Sequence, residues 1–258
     1  MEQTIKIDDL KITYARETAG VVGQRLLLIH GTGCDNRVFR GLSAELSTDH
    51  DVVALDLPGH GNSDGSGFRG VADYAAYCAG LVSALGWEDC VVGGHSLGGG
   101  VAIAMALYNP ELIKGLMIID SGARLRVNPE VIKMAKLIAE GKLEDKGTPR
   151  IGFSNKTSSD IVSAVREITM DADPNVTLKD WIADDTCDFM ARVGKLDLPT
   201  LAVCGREDEL TPLKYHEYLS QQMPNCSLRI IDDAGHWSFV EKPREFLEAV
   251  RPFLKQLP

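Results

Sequence analysis

One segment of the chain, residues 89–107, constrains the fold more than any other. Its sequence begins with a short β-branched run, passes through GHSLG at residues 94–98 and continues as an alanine-rich helical pattern. This order predicts a strand, a sharp turn and a helix, with Ser96 at the apex of the turn, which we call the elbow. Gly94 and Gly98 are expected where strand and helix approach too closely for a Cβ atom. Ser96 is therefore the candidate nucleophile, and the helix N-terminus behind it favours developing negative charge.

A second Gly-x-Ser-x-Gly pattern, GNSDG at residues 61–65, matches the spacing without the context. It follows the turn-rich sequence DLPGH and runs directly into another Gly-Ser-Gly, which cannot open a stable helix. The strand–turn–helix order is missing. Ser63 is therefore predicted to be a loop residue.

Apolar runs along the rest of the chain predict a mostly parallel, eight-stranded α/β sheet. Continuous apolar runs are typical of buried parallel strands, and helical patterns alternate with them, so helices should cover both faces of the sheet. The predicted strands are residues 3–7, 10–16, 26–29, 51–55, 89–93, 115–119, 200–204 and 227–231. The predicted helices between and after them are residues 35–47, 71–86, 97–109, 212–222 and 243–254.

The alternation stops after Asp120, where the pattern becomes mainly helical. Helices are predicted over residues 129–140, 159–170 and 178–193. Because this block follows a strand of the sheet, we expect it to lie at the carboxyl edge, where Ser96 emerges. The predicted division is a mostly parallel α/β core formed by residues 1–122 and 195–258, with a helical cap, residues 123–194, inserted into it.

Composition and charge exclude several classes of protein. The 258 residues are 44% hydrophobic and 25% charged, with a formal net charge of −10, which argues against nucleic acid or an anionic membrane as a partner. No run approaches the ~18 apolar residues of a membrane span, and the N-terminal sequence has no signal-peptide pattern, so the cytoplasm is the expected compartment. Six dispersed cysteines predict free thiols, with neither disulfides nor a metal site. A monomer or a homodimer is expected.

A serine nucleophile needs a base, and the base needs an orienting acid. His236 lies in the predicted loop between the last strand and the last helix, and Asp208 lies in the loop after the preceding strand. Loops at the carboxyl ends of parallel strands face one crevice, which brings both residues to the edge that carries Ser96. Asp120 follows the strand after the elbow helix and is the alternative acid.

Four motifs in this order resemble those of α/β-hydrolase-fold proteins. They are HGTG at residues 30–33, GHSLG at the elbow, Gly205-x-x-Asp208 and Gly235-His236. Each is weak alone, but together they are specific, and the likeness covers nearly all of the chain.

This resemblance assigns roles to individual residues. It implies Ser96 as nucleophile, His236 as general base and then acid, and Asp208 as the carboxylate that orients the imidazole. It also implies an oxyanion hole formed by the backbone N–H groups of Thr32 and Leu97. Because Asp208 matches the family's Gly-x-x-Asp turn, it is favoured over Asp120.

The implied chemistry is acyl transfer from a small-molecule carboxylic ester to water, without a cofactor or metal. An enol-lactonase or a thioesterase would use the same residues. A rival from another class is a slow-turnover ligand sensor. Residues 30–36 resemble the corresponding loop in the stress-regulator and hormone-receptor branch of this fold, where hydrolysis is slow and signalling is the output. Substrate selection is assigned to the cap, although most of its apolar side chains are expected to pack its helices together. The candidate pocket residues are His30, Gly31, Met134, Leu137, Ile138, Phe153, Trp181 and Trp237. His30 is also expected to order the loop that carries Thr32, which we call the oxyanion loop.

Overall fold

A single mostly parallel sheet of eight strands forms the centre of the computed structural model, which describes residues 2–20, 23–147, 150 and 152–258. The strands are β1 (Glu2–Ile7), β2 (Leu10–Glu17), β3 (Arg25–Ile29), β4 (Asp51–Leu55), β5 (Cys90–His95), β6 (Ile113–Ile119), β7 (Thr200–Gly205) and β8 (Cys226–Ile231). The predicted fold class is confirmed.

The strand order places the elbow strand inside the sheet. The order is β1-β2-β4-β3-β5-β6-β7-β8. Strand β2 is antiparallel to both of its neighbours, β1 and β4, and every pair from β4 onward is parallel. Strands β3, β5, β6, β7 and β8 therefore all end at one edge. The loops that follow them carry the residues that the sequence singled out.

Helices cover the sheet and form the segment inserted after β6. They are α1 (Arg40–Leu46), α2 (Val71–Ala84), α3 (Leu97–Tyr108), α4 (Pro129–Ala139), α5 (Ser159–Met170), α6 (Pro174–Thr186), α7 (Leu213–Gln222), α8 (Ser238–Glu241) and α9 (Pro243–Gln256). None of the helices within the described ranges is long and apolar enough to cross a membrane.

Both faces of the sheet are buried, which explains why its strands are continuously apolar. Along β3, Leu27 and Ile29 pack into the cluster that includes α2 and α3, whereas Leu26 and Leu28 pack into the cluster that includes α1 and α9. All four side chains are fully buried. Two hydrophobic layers thus hold the sheet rigid beneath the loops at its carboxyl edge.

Two predicted helices differ from the structure. The helix expected over 178–193 is α6, which begins at Pro174 and ends at Thr186. Asp173 caps it by accepting a hydrogen bond from the Asn175 N–H, and Pro174 occupies its first turn, so the Asp-Pro pair was the missed start signal. The helix expected over 35–47 divides into a 3-10 turn, Asn36–Phe39, and α1.

Candidate active site

Ser96 occupies a strained turn between β5 and α3. Its φ is 53° and its ψ is −119°, a conformation that a non-glycine residue adopts only when its surroundings enforce it. The surroundings include a hydrogen bond from the Ser96 N–H to the Ile119 carbonyl at 3.0 Å and one from Ser121 Oγ to the Ser96 carbonyl at 2.6 Å. Both neighbours lie at or just after the end of β6. The serine side chain is therefore presented at the carboxyl edge of the sheet.

The glycines around Ser96 are required by close backbone contacts. A Cβ atom on Gly94 would lie 2.0 Å from the Gly98 carbonyl oxygen, and one on Gly98 would lie 2.1 Å from the Ile29 carbonyl oxygen. A Cβ on Gly31 would lie 3.0 Å from the Cβ of Ser96. Only glycine lets β3, β5 and α3 converge at this point.

Ser63, in the second Gly-x-Ser-x-Gly sequence, lies in a loop, as predicted. Its hydroxyl accepts a hydrogen bond from the Thr13 N–H at 2.8 Å and donates one to the Asp56 carbonyl at 2.7 Å. Both hydrogen bonds join the loop to the sheet, so the Ser63 hydroxyl stabilises the loop.

His236 and Asp208 form a buried pair. His236 Nδ1 lies 2.9 Å from Asp208 Oδ2, and neither side chain exposes more than 4% of its surface. The carboxylate also accepts hydrogen bonds from the Leu210 N–H at 2.8 Å, the Thr211 N–H at 2.9 Å and the Thr211 hydroxyl at 2.7 Å. The loop after β7 thus holds the carboxylate in one orientation, from which it fixes the imidazole.

The pair shifts the pKa values of both groups in the directions a catalytic base requires. Burial alone would raise the pKa of the Asp208 carboxyl, but the charge and hydrogen bond of His236 and the donors of Thr211 hold it well below its usual range. Burial would lower the pKa of the His236 imidazole, but the Asp208 carboxylate raises it above its ordinary value. The carboxylate stays ionised and stabilises an imidazolium.

His95 joins the elbow to the loop of His236. Its Nε2–H donates to the His236 carbonyl at 2.8 Å, and the two rings lie 4.9 Å apart. Burial lowers the pKa of the His95 imidazole to about 3, so this donor is a neutral ring. Within the part of the chain that the structure describes, Ser96 Oγ forms no hydrogen bond to His236. Such bonds are often loose in the absence of substrate and tighten when the substrate binds.

Asp120, the alternative acid, has other partners. Its Oδ1 accepts from the Gly205 N–H at 2.9 Å, and its Oδ2 accepts from the N–H of Ser238 at 3.0 Å and from its hydroxyl at 2.7 Å. Asp208, by contrast, is hydrogen-bonded to the His236 ring. The geometry therefore favours Asp208 for orienting the imidazole.

Two backbone N–H groups, those of Leu97 and Thr32, are the candidates for the oxyanion hole. Leu97 is the first residue of α3, where N–H groups have no partner inside the helix. Thr32 lies in a turn that is closed by a hydrogen bond from the Cys34 N–H to the Gly31 carbonyl at 3.2 Å. Its own N–H has no hydrogen-bond partner among the described residues. A Cβ atom on Gly31 would approach the Ser96 Cβ to 3.0 Å, so the turn that contains Thr32 passes close to the serine, and Leu97 directly follows the serine in the chain.

Two aromatic side chains, Phe153 and Trp237, form a wall beside His236. Phe153 and Trp237, both predicted pocket residues, stack with their ring centroids 5.9 Å apart and an interplanar angle of 16°. Trp237 also lies 4.6 Å from the His95 ring and 5.8 Å from the His236 ring, measured between centroids. Both aromatic side chains are buried, and they give this side of the site an apolar surface.

The remaining pocket candidates lie in different environments. The His30 ring is fully buried, with Nδ1 hydrogen-bonded to the Gly31 carbonyl at 2.9 Å and Nε2 accepting from the Leu57 N–H at 3.0 Å. Since both nitrogens are engaged, this ring orders the loop and is not available to a substrate. Met134 is 52% exposed on α4. Leu137, Ile138 and Trp181 are half-buried.

Sequence analysis missed two buried carboxyl groups on α6. Asp180 accepts hydrogen bonds from Gly33 N–H, Tyr74 OH and His60 Nε2, and Asp184 accepts one from the Thr32 hydroxyl. Their spacing of one helical turn places both on one face, and this spacing was the available signal.

Glu241 is a third buried carboxyl group that the sequence did not single out. It accepts from the N–H groups of Ser154, Gly235 and Trp237 at 2.8, 2.9 and 3.2 Å, and from the Thr157 hydroxyl. It therefore joins the inserted helical segment to the loop that carries His236. Within the described ranges, no group of three or more His, Cys, Asp or Glu side chains is arranged to hold a metal ion.

Comparison with known proteins gives consistent likenesses. A model of the alpha/beta hydrolase family matches residues 26–249. An uncharacterized protein of Mycobacterium tuberculosis is 30% identical, with 90% of this chain and 75% of that protein covered. The pimeloyl-[acyl-carrier protein] methyl ester esterase of Aeromonas hydrophila is 27% identical, with 90% and 96% covered. The solved structure of a thermophilic esterase is 32% identical, with a TM-score of 0.81 and 99% and 98% of the two chains covered.

Proposed function

The chain belongs to the alpha/beta hydrolase family, and we propose that it is a serine hydrolase that cleaves carboxylic esters of small molecules. The observation that carries this proposal is the buried His236–Asp208 pair at the sheet edge where the strained elbow presents Ser96. The esterase names of the relatives from Aeromonas hydrophila and among the solved structures support ester hydrolysis in particular.

In the proposed mechanism, Ser96 Oγ attacks the ester carbonyl carbon while His236 Nε2 takes its proton. Asp208 holds the ring by Nδ1 and stabilises the imidazolium that forms. The carbonyl oxygen gains a negative charge, which the N–H groups of Thr32 and Leu97 stabilise. The imidazolium then protonates the leaving alcohol, and an acyl group remains on Ser96.

Deacylation repeats these steps with water as the nucleophile. His236 takes a proton from water, the hydroxide attacks the acyl carbonyl, and the imidazolium returns the proton to Ser96 Oγ as the acid leaves. The chain's own residues supply every proton transfer. The proposal therefore needs no cofactor or metal.

We assign residues 123–194 to a cap that bounds the substrate site. Its α6 contacts the oxyanion loop through Asp180 and Asp184, and its segment near Phe153 contacts the histidine loop, where the His236 N–H donates to the Gly152 carbonyl at 2.5 Å. The Phe153–Trp237 wall fits an apolar acyl group. Among the pocket candidates, His30 and Met134 have the least support.

The test is turnover on a panel of p-nitrophenyl acyl esters, lactones and acyl thioesters, with mass spectrometry of the quenched enzyme. We expect many turnovers on an ester and a transient acyl adduct on the peptide that contains Ser96. Preference for a lactone or a thioester would revise the substrate class. A single burst without further turnover would contradict the hydrolase and favour a ligand sensor.

A further inference from the structure

Two carboxyl groups of α6, Asp180 and Asp184, hold adjacent residues of the oxyanion loop. Asp184 Oδ2 lies 2.6 Å from the hydroxyl of Thr32, and Asp180 Oδ2 accepts from the Gly33 N–H at 3.0 Å. Both carboxyl groups are buried. We call Asp180 and Asp184 the α6 carboxyl pair.

The α6 carboxyl pair is itself anchored to the sheet. Asp180 Oδ1 accepts from the Tyr74 hydroxyl at 2.6 Å, and Asp180 Oδ2 accepts from His60 Nε2 at 2.7 Å. Burial would lower the pKa of His60, but the Asp180 carboxylate raises it above the ordinary value, which favours a charged pair. Because Tyr74 belongs to α2 and His60 to the loop after β4, α6 has a fixed position relative to the core.

The oxyanion loop depends on contacts of this kind. Thr32 and Gly33 are the two central residues of the turn closed between Gly31 and Cys34, and Gly33 has a φ of +61°. A turn of two residues has few contacts of its own, yet its Thr32 N–H must point at the substrate oxygen. The α6 carboxyl pair accepts a hydrogen bond from each of these two central residues.

We propose that the α6 carboxyl pair positions the oxyanion hole, so that catalysis depends on the seating of the cap helix α6. This inference rests on the proposed function. Asp184 and Asp180 act through Thr32 and Gly33, and neither needs to touch the substrate. The second oxygen of Asp184, Oδ1, has no hydrogen-bond partner among the described residues.

The protonation of Asp184 supports this role. Burial raises the pKa of its carboxyl to about 8, against the Thr32 hydrogen bond, which lowers it, and with a smaller contribution from the nearby Asp180, which raises it. At neutral pH the side chain is therefore largely uncharged. A neutral carboxyl can hold the Thr32 hydroxyl without placing a negative charge beside the developing oxyanion.

A misplaced oxyanion donor stabilises the transition state less, while the bound substrate is stabilised almost as before. Its displacement therefore lowers kcat and leaves KM nearly unchanged. We expect Asp184→Ala to lower kcat on p-nitrophenyl butyrate about tenfold, the effect of losing one buried hydrogen bond. Asp184→Asn keeps an oxygen for the Thr32 hydroxyl and should stay within about threefold of wild type. Asn175→Ala, at an exposed position of α6 whose side chain hydrogen-bonds only to Asp173 among the described residues, is the control and should leave kcat unchanged.

A double-mutant cycle tests whether Asp184 acts through Thr32. Thr32→Val removes the hydroxyl and keeps the backbone N–H, so it should lower kcat about as much as Asp184→Ala. The double variant should lose about tenfold, and not the hundredfold of two independent effects. Additive losses, or a wild-type kcat in Asp184→Ala, would overturn the inference.

Hydrogen exchange of the peptide containing residues 30–34 gives a readout that does not require turnover. We expect faster exchange in Asp184→Ala than in wild type or Asn175→Ala, because the loop loses an anchor. If the wild-type protein hydrolyses no ester but exchange still increases, the proposed activity fails while the anchoring holds. Unchanged exchange in an active enzyme would refute the anchoring alone.

Discussion

Nδ1 of His236 lies 2.9 Å from Oδ2 of Asp208, and the same carboxylate accepts both hydrogen bonds that Thr211 donates. The imidazole therefore has one fixed orientation, with Nε2 left for a substrate or a nucleophile. The consequences of this contact can be tested against those of Asp120, which lies nearby without a hydrogen bond to the ring.

We expect Asp208→Asn to lower kcat on a p-nitrophenyl ester by a factor on the order of 10³ to 10⁴, because an amide neither fixes the tautomer nor stabilises the imidazolium. Asp120→Asn is the control. Its oxygens accept from Gly205 and Ser238, so the substitution should lower the melting temperature while the folded enzyme keeps kcat within about tenfold. The opposite ranking of the two kcat values would exchange their roles.

The two serines with Gly-x-Ser-x-Gly spacing should respond differently to alanine. Ser96→Ala is expected to abolish measurable turnover without changing the melting temperature by more than a few degrees. Ser63→Ala should retain activity and lose about 1 to 3 kcal/mol of unfolding free energy, because the Thr13 N–H and the Asp56 carbonyl lose their partner. Parallel kinetics and urea denaturation measure both quantities. An inactive but folded Ser63→Ala variant would point to the wrong elbow.

The sequence predicted the features that depend on local pattern. Eight strands, the elbow at Ser96 and the loops with Asp208 and His236 follow from periodicity, glycine sterics and chain order, and the structure has them at one edge. The predicted start of α6 is too late, because apolar periodicity does not register the Asp173-Pro174 pair that caps the helix.

The partners of buried carboxyl groups could not be predicted from sequence. Asp184 and Thr32 are separated by 152 positions, and Glu241 and Ser154 by 87. Such contacts depend on where the inserted segment docks, which is a tertiary property. The sequence also places His30 in the pocket, whereas in the structure its two ring nitrogens are engaged by the Gly31 carbonyl and the Leu57 N–H.

The pH dependence of kcat/KM should show an acidic limb set by His236. The imidazole must be neutral to accept the Ser96 proton, and the Asp208 carboxylate raises its pKa above the ordinary value of 6.5. Activity should therefore rise with pH through a midpoint above 6.5. Residual activity of Asp208→Asn should show a lower midpoint, because the charge that raises the pKa is gone. An unchanged midpoint would mean that another group controls this limb.

Asp184 should produce a second, alkaline limb. Burial raises the pKa of its carboxyl to about 8, so ionisation above that pH places a negative charge beside the oxyanion site and should lower kcat. Asp180 and Asp185 on α6 and His236 across the site are the charged groups that face it. Asp184→Asn cannot ionise and should lack the limb near pH 8. A limb that persists in this variant would assign the titration elsewhere.

The stability of the same variant should also depend on pH. The native carboxyl keeps a proton that the unfolded chain releases above about pH 4, since the raised pKa belongs to the folded state only. The unfolding free energy of wild type relative to Asp184→Asn should therefore fall as pH rises from about 4 to about 8 and then level off. Urea denaturation at several pH values measures this difference. A constant difference would show that Asp184 is ionised throughout.

Glu241→Gln should uncouple the histidine loop from the inserted segment. Each carboxylate oxygen of Glu241 accepts two hydrogen bonds, from Gly235 and Trp237 on one side and from Ser154 and Thr157 on the other. A glutamine must turn its amide N–H groups toward one of these donor pairs. We expect a loss of about 2 to 4 kcal/mol of unfolding free energy together with a lower kcat/KM.

The control for this variant is Glu245→Gln, on the exposed first turn of α9, which should change stability by no more than about 0.5 kcal/mol. Because Gly235 and Trp237 flank His236, the loss of kcat/KM should exceed the loss seen in Glu245→Gln even at temperatures where both variants are fully folded. Circular dichroism and kinetics at one low temperature separate the two effects. A Glu241→Gln enzyme with wild-type stability and kcat/KM would show that these four hydrogen bonds do not fix the loop.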